Sequence, residues 1–189
     1  MANKIKYGLS NVYFALATIA SDGTATYETP VAIPGAVSLT LDPEGESTPF
    51  YADNIVYYVS TANSGYTGSL EIARIPAEFR ETILGDHKDA KNVYFEDADA
   101  PTKAFALLFQ FEGDESATKY VYYNCTASRT SVSSETKTAS IEPGTDTLDL
   151  TVGMVKNTTI AKNVVKAFVE DTESTAYASW FNQVYQSAA

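Results

Sequence analysis

The chain offers one thiol and one imidazole, Cys125 and His87. Nucleophilic catalysis by that pair would need the two groups adjacent and the thiolate stabilised. Cys125 instead falls in Lys119-Tyr120-Val121-Tyr122-Tyr123-Asn124-Cys125-Thr126, a β-patterned run where a thiol packs as a small apolar group. His87 stands in a polar stretch beside Asp86 and Asp89, where solvent is its natural partner. A single cysteine excludes an intrachain disulfide and a multi-cysteine zinc site, and a single histidine excludes a His–His metal pair. Two acidic groups, Glu96-Asp97-Ala98-Asp99 and Glu112-Gly113-Asp114-Glu115, offer oxygen ligands for calcium. Neither has the alternation and distal glutamate of a helix–loop–helix calcium site, so both read as solvated turns. Nothing singles out two of the 24 acids as a glycosidase pair. Neither a phosphate-cradling glycine loop nor a nucleophile elbow is written in the chain. The residues therefore point away from an enzyme and call for no cofactor or metal.

Charge is more informative. Thirteen Lys and Arg against 24 Asp and Glu give −11, a surface that neither holds nucleic acid by counterion release nor approaches anionic membranes. The charge is unevenly placed. Residues 7–73 contain no Lys or Arg but seven acids, Asp22, Glu28, Asp42, Glu44, Glu46, Asp53 and Glu71, which is −7 of the −11. Depletion of Lys in strands accounts for part of this. The functional reading is a surface kept free of cations so that a polyanion can pass without sticking.

The elements that would carry these residues are mostly strands. A length of 189 residues suits one domain, and 44% hydrophobic with 20% charged residues is a globular mixture. Thirteen Tyr and nine Phe favour β structure. Residues 11–19 read as a strand, Ser21-Asp22-Gly23 as a turn and 25–33 as extended chain. Lys4 and Lys6 before an apolar stretch loosely imitate a signal peptide, but Ser10 and Asn11 interrupt it, and Val12, Phe14 and Leu16 share a strand face. No run approaches the ~20 apolar residues of a membrane span. Val37, Leu39 and Leu41 alternate with polar residues as in a half-buried strand. Asp42-Pro43-Glu44-Gly45-Glu46-Ser47-Thr48-Pro49 reads as a polar loop with breakers at both ends, and Ile55–Val59 resumes β up to a turn at Asn63-Ser64-Gly65. A strand over 67–75 precedes a helix that has Pro76 in its first turn, Phe79, Ile83 and Leu84 on one face, and Gly85 as its stop. A short strand at Val93-Tyr94-Phe95, an apolar strand over 103–112, a turn at 113–116 and strands at 119–126, 148–152 and 163–169 follow. Ala176, Tyr177, Trp180, Phe181, Val184 and Tyr185 recur at helical spacing, with caps available at 172–175. The expected fold is mainly β, a single domain over 1–189. It is a β-sandwich or open barrel with one flanking α-helix and a short C-terminal helix.

Several stretches together resemble a known family. Asn3-Lys4-Ile5-Lys6-Tyr7-Gly8-Leu9-Ser10-Asn11-Val12-Tyr13-Phe14-Ala15 is similar to the start of the major tail proteins of long-tailed, non-contractile bacteriophages. Gly65 to Pro76 with Phe79-Arg80 and Ile83-Leu84-Gly85 resembles that family's strand-then-helix stretch. Lys103 to Gly113, Tyr123 to Arg129 and the ending Trp180-Phe181-Asn182-Gln183-Val184-Tyr185 resemble its later segments, in the same order.

The resemblance implies a structural subunit of the virion tail, assembled in the host cytoplasm. Six copies would close a ring, rings would stack into a hollow tube, and inner strands would line the lumen through which the genome is ejected. Its partners would be copies of itself and other tail proteins (tape measure, tail tip and terminator), with DNA passing unbound and no membrane contact. The ring-stacking loop would be Pro43, Glu44, Gly45, Glu46, Ser47, Thr48, Pro49, Phe50, Tyr51, Ala52 and Asp53, inside a hairpin from Leu39–Asp42 to Ile55–Tyr57. Candidate lumen acids are Glu28, Asp42, Asp53 and Glu71. No appended immunoglobulin-like domain is expected. The competing reading is a monomeric β-sandwich that binds carbohydrate or acts as an adhesin module through exposed aromatics.

Overall fold

The computed structural model describes residues 7–114, 117–131 and 144–187. The chain opens with β1 (Leu9–Ile19), β2 (Ala25–Tyr27) and β3 (Val31–Ala32). Next come β4 (Ala36–Glu44), β5 (Ser47–Ala52), β6 (Ile55–Thr61) and β7 (Gly65–Ile72). A helical turn α1 (Ala77–Phe79) runs on as a π-helical turn at Arg80–Leu84, followed by β8 (His87–Lys88) and β9 (Tyr94–Phe95). The remainder is β10 (Phe105–Phe111), β11 (Lys119–Ala127), β12 (Asp146–Gly153), β13 (Val155–Asn157), β14 (Lys162–Val164), β15 (Lys166–Val169) and α2 (Thr175–Ser179).

The main sheet is antiparallel in the order β2-β1-β10-β11-β12-β7-β4, with β3 also on β1 and β15 also on β11. Strand β10 holds one edge of β11 along most of its length. The other edge is shared: residues 119–122 pair with β15 and residues 124–127 with β12. The sheet forks there and encloses apolar side chains on both faces of its centre. Phe105, Leu107 and Phe109 enter one core with Leu70, Ile72, Leu148, Leu150, Phe79 and Ile83. Ala106 and Leu108 enter a second core with Val121, Tyr123, Val155 and Trp180. An unbroken apolar run is what a strand buried on both faces requires, and each Leu or Phe so buried contributes about 1.5–3 kcal/mol. The mainly β expectation is met.

The flanking helix forms where expected, with Phe79, Ile83 and Leu84 buried and Gly85 closing it at φ 81°. Pro76 precedes the first helical residue rather than occupying it, and the second turn is π rather than α. Its backbone widens there: the N–H groups of Gly85 and Asp86 both donate to Arg80 O. The C-terminal helix is shorter than its apolar stripe. Ser174 caps it by accepting from Ala176 N at 3.2 Å, but Trp180, Phe181 and Val184 pack on the second core from the non-helical chain that follows. Trp180 anchors this tail, donating from Nε1 to Tyr120 O at 3.2 Å. The expected turn at 113–116 falls partly outside the described residues.

One expectation is corrected. Residues 43–54 are not a loop, and Leu39–Asp42 pair with Thr67–Leu70 rather than with Ile55–Tyr57. Asn63-Ser64-Gly65 is a joint, not a turn. Ala62 N donates to Glu46 O and Ser64 N to Glu44 O, so β4 and β5 run out while β6 and β7 run back as one long hairpin. It reverses at Asp53-Asn54, both left-handed at φ 52° and 61°, as a tight hairpin turn needs. Prolines 43 and 49 misled because Pro is tolerated in a strand that has a free edge, where its missing N–H breaks no ladder bond.

Candidate functional site

The outer half of this hairpin is an arm, β5–β6, in which no side chain among the described residues is fully buried. In its register Phe50 faces Tyr58 and Ala52 faces Ile55, while Tyr51 faces Val56 and Pro49 faces Val59, with an irregularity between Phe50 and Tyr51. Directly opposed residues share a face. One face thus carries Phe50, Ile55 and Tyr58, and the other Tyr51, Val56 and Val59. All six are exposed, as is Tyr57 at 71%. A soluble monomer rarely leaves such a contiguous apolar surface in water, so these rings mark a binding surface. A side chain at Gly45 would clash with the Ala62 carbonyl oxygen, so the two halves of the joint are held close.

The inner half of the hairpin presents a different surface. Leu39 and Leu41 of β4, Leu70 and Ile72 of β7, and Leu148, Leu150 and Val152 of β12 all point into the first core. Alternation then puts Ser38, Thr40 and Asp42, Thr67, Ser69 and Glu71, and Thr147, Asp149 and Thr151 on the opposite, solvated face. The register lines them up across strands: Asp42 opposes Thr67, Thr40 opposes Ser69, and Ser69 opposes Asp149. Strands β4, β7 and β12 contain no Lys or Arg. Hydroxyls hold the acids. Glu71 accepts from Thr145 Oγ1 at 2.7 Å and Ser38 Oγ at 2.9 Å, and these bonds lower its carboxyl below the ordinary range. Thr67 Oγ1 donates to Glu44 at 2.8 Å. The outcome is a negative, hydroxyl-rich wall without cations. Strand β4 lies at the end of the sheet, an open edge of the kind that invites another strand.

The four candidate acids do not sit together. Asp42 and Glu71 lie on this wall. Asp53 is at the arm's tip. Glu28 follows β2 at the far end of the sheet, its N–H bonded to Leu16 O, in a hollow shared with Asn182, Gln183 and Gln186. Asp149 belongs to the wall and was missed: the alternation of Leu148, Leu150 and Val152 puts it on the solvated side of its own strand, but only the pairing of β12 with β7 brings it opposite Ser69. The proposed loop residues divide as well: Pro43 and Glu44 end β4, Gly45 and Glu46 form the joint, Ser47–Ala52 is β5, and Asp53 starts the reversal.

Cys125 is fully buried, its thiol is pushed up to about 12 by burial, and His87 is exposed on β8. Glu96 is engaged by Arg129 at 2.8 Å, and the same guanidinium bonds Asp97 O and approaches Asp86 at 3.7 Å. Glu115 of the second acidic group lies outside the described residues. Among those residues no three His, Cys, Asp or Glu groups converge as metal ligands, and no helix is long and apolar enough to cross a membrane.

A family model described as phage tail tube protein matches residues 41–188, which takes in the arm, β7 and β12 of the wall, the end of β4 and the C-terminal anchor. The chain belongs to the phage tail tube protein family. It is therefore a structural component of the virion tail, in a family whose members associate with themselves and with other tail proteins. No curated protein matches. Among solved structures, a chain in the cryo-EM structure of the anti-feeding prophage (AFP) baseplate, 6-fold symmetrised, is similar over 89% of this chain and 97% of its own. The identity is 12% and the TM-score 0.46.

Proposed function

We propose that this tail tube family member is the repeating subunit of the tube of a long-tailed, non-contractile phage. Six copies close a ring, rings stack through the β5–β6 arm, and the β4–β7–β12 wall lines the conduit for genome ejection. The observation that carries the reading is the arm: seven large apolar side chains exposed on a two-stranded ribbon, which is marginal in water by itself. Docking on another subunit removes that surface from solvent. Ring closure would likewise cover the open edge of β4. A wall free of cations offers DNA phosphates nothing to hold, and at a screening length of ~8 Å only charges on the wall itself act on the passing duplex. Tape measure, tip and terminator proteins would meet the tube at its bore and its two ends, with assembly in the host cytoplasm.

Negative-stain microscopy and light scattering of the purified chain test this. Rings or tubes are expected. Replacing Ser47–Thr61 by an Asn-Gly turn between Glu46 and Ala62, which are already hydrogen-bonded, should leave a folded monomer that does not elongate. Tubes growing normally without the arm would refute its role. A wild-type chain that stays monomeric at high concentration would refute the tube and favour sugar stacking by the same aromatics.

A further inference from the structure

The β4–β7 ladder has two ends. The arm leaves one of them. At the other lies a cavity of about 520 Å³, within the ~300–1,000 Å³ span of specific binding pockets. Pro34 and Gly35 before β4, and Ala73 to Ala77 after β7, form most of its wall, and Arg80 and Tyr94 complete it. Gly35 is left-handed at φ 80°, and a side chain there would press on the Ala73 methyl, so this corner is narrow. The walls are mostly apolar. Two charges line this cavity, Arg74 and Arg80, and no acid does; the acids Asp86, Glu96 and Asp146 line a second hollow that the two arginines also border. Neither arginine makes an ion pair among the described residues.

The arm has the complementary character. Between Ser47 and Thr61 its one formal charge is Asp53, at the reversal, flanked by Tyr51, Ala52 and Ile55. We propose that this cavity is the receptor for the arm tip of the next copy, with the Asp53 carboxylate held by Arg74 and Arg80 and the flanking apolar side chains filling the pocket. The assignment rests on the tube reading above and names the surface that reading lacks. Arm and receptor at opposite ends of one ladder make a head-to-tail contact, which repeats without limit instead of closing a pair. The ladder also sets the repeat. From Ala36 to Ala52 is 16 residue steps, and at ~3.3 Å each a copy displaced along the strands by about 50 Å or less presents its receptor to the tip.

Cysteine cross-linking tests the contact. Ile55→Cys lies at the arm tip and Ala77→Cys in the cavity lining. Cys125 is buried and does not compete. Under mild oxidation of assembled material, the double variant should give a ladder of covalent multimers on a non-reducing gel, and each single variant should give none. Arg74→Glu with Arg80→Glu should raise the concentration needed for assembly about tenfold, partly restored by Asp53→Lys. Circular dichroism confirms that each variant folds. Tubes that form without cross-linking would overturn the receptor while leaving the tube intact. A cross-linked species that stops at two copies would overturn the head-to-tail contact. Absence of tubes from the wild-type chain would overturn the tube reading, and the receptor with it.

Discussion

Tyr58→Ser isolates the energetic role of the arm. Tyr58 is 63% exposed and faces Phe50, itself 61% exposed, so removing the ring deletes surface that the monomer does not bury. Complete burial of an aromatic side chain takes ~150–250 Å² out of water. Covering what Tyr58 still exposes would therefore remove on the order of 100–150 Å², or about 3 kcal/mol at ~25 cal/mol/Å². Part of this is lost to ordering of the ring and imperfect fit, and measured interface hot spots fall at ~2–4 kcal/mol. The expected cost to subunit addition is about 2–3 kcal/mol, a rise of roughly 30- to 150-fold in the critical concentration for assembly. The monomer should barely notice, because exposed substitutions away from special features stay within ~0.5 kcal/mol. Sedimentation across a concentration series gives the first quantity and urea unfolding the second. A critical concentration within about threefold of wild type, under ~1 kcal/mol, would refute the argument that this exposed face is covered in the assembly.

Lysine at both Asp42 and Asp149 should make assembled tubes retain DNA at low salt, whereas Glu28→Lys should not, because Glu28 lies at the far end of the sheet; DNA co-sedimentation reads this, and equal retention by both variants would sink the wall assignment. Gly68→Ala should destabilise the monomer by about 1–3 kcal/mol and loosen β4, since the added methyl would clash with the Thr40 carbonyl oxygen; an unchanged thermal midpoint would contradict that close approach. Burial raises the Cys125 thiol from 9.0 to about 12 and lifts Tyr27 and Tyr123 above their ordinary 10.0. The unfolded chain gives up these protons first, so their contribution is complete below pH 9 and is lost as pH climbs toward 12; alkaline unfolding followed by circular dichroism should begin in that window, and a flat response across it would show that these groups are not buried.

Much of the fold was legible because its signals are local. Alternating Leu39 and Leu41, the apolar run Phe105–Phe111, and the Pro76…Gly85 frame each state their own element, and the structure places a strand, a doubly buried strand and a helical segment there. The absence of Lys and Arg from residues 7–73 was visible in the sequence, and so was the thiol's place among core residues. Pairing was not legible. The joint at Glu46 and Ala62 lets two consecutive strand pairs act as one hairpin, and nothing short-range distinguishes that from a loop between Pro43 and Asp53. Which acids share a surface was equally hidden, because Asp42, Glu71 and Asp149 come from three strands spread over more than half the chain.

Sequence alone determined the β composition, the burial pattern within each strand, and a net charge carried unequally along the chain. Tertiary structure alone decided that Glu71 and Asp149 share a wall, that Asp53 stands at an arm's tip, and that a cation-lined cavity lies at the ladder's opposite end. The division has a physical cause. A strand's own residues fix which side chains face inward, at a period of two, but its partners and register are settled by hydrogen bonds and packing between segments far apart in sequence.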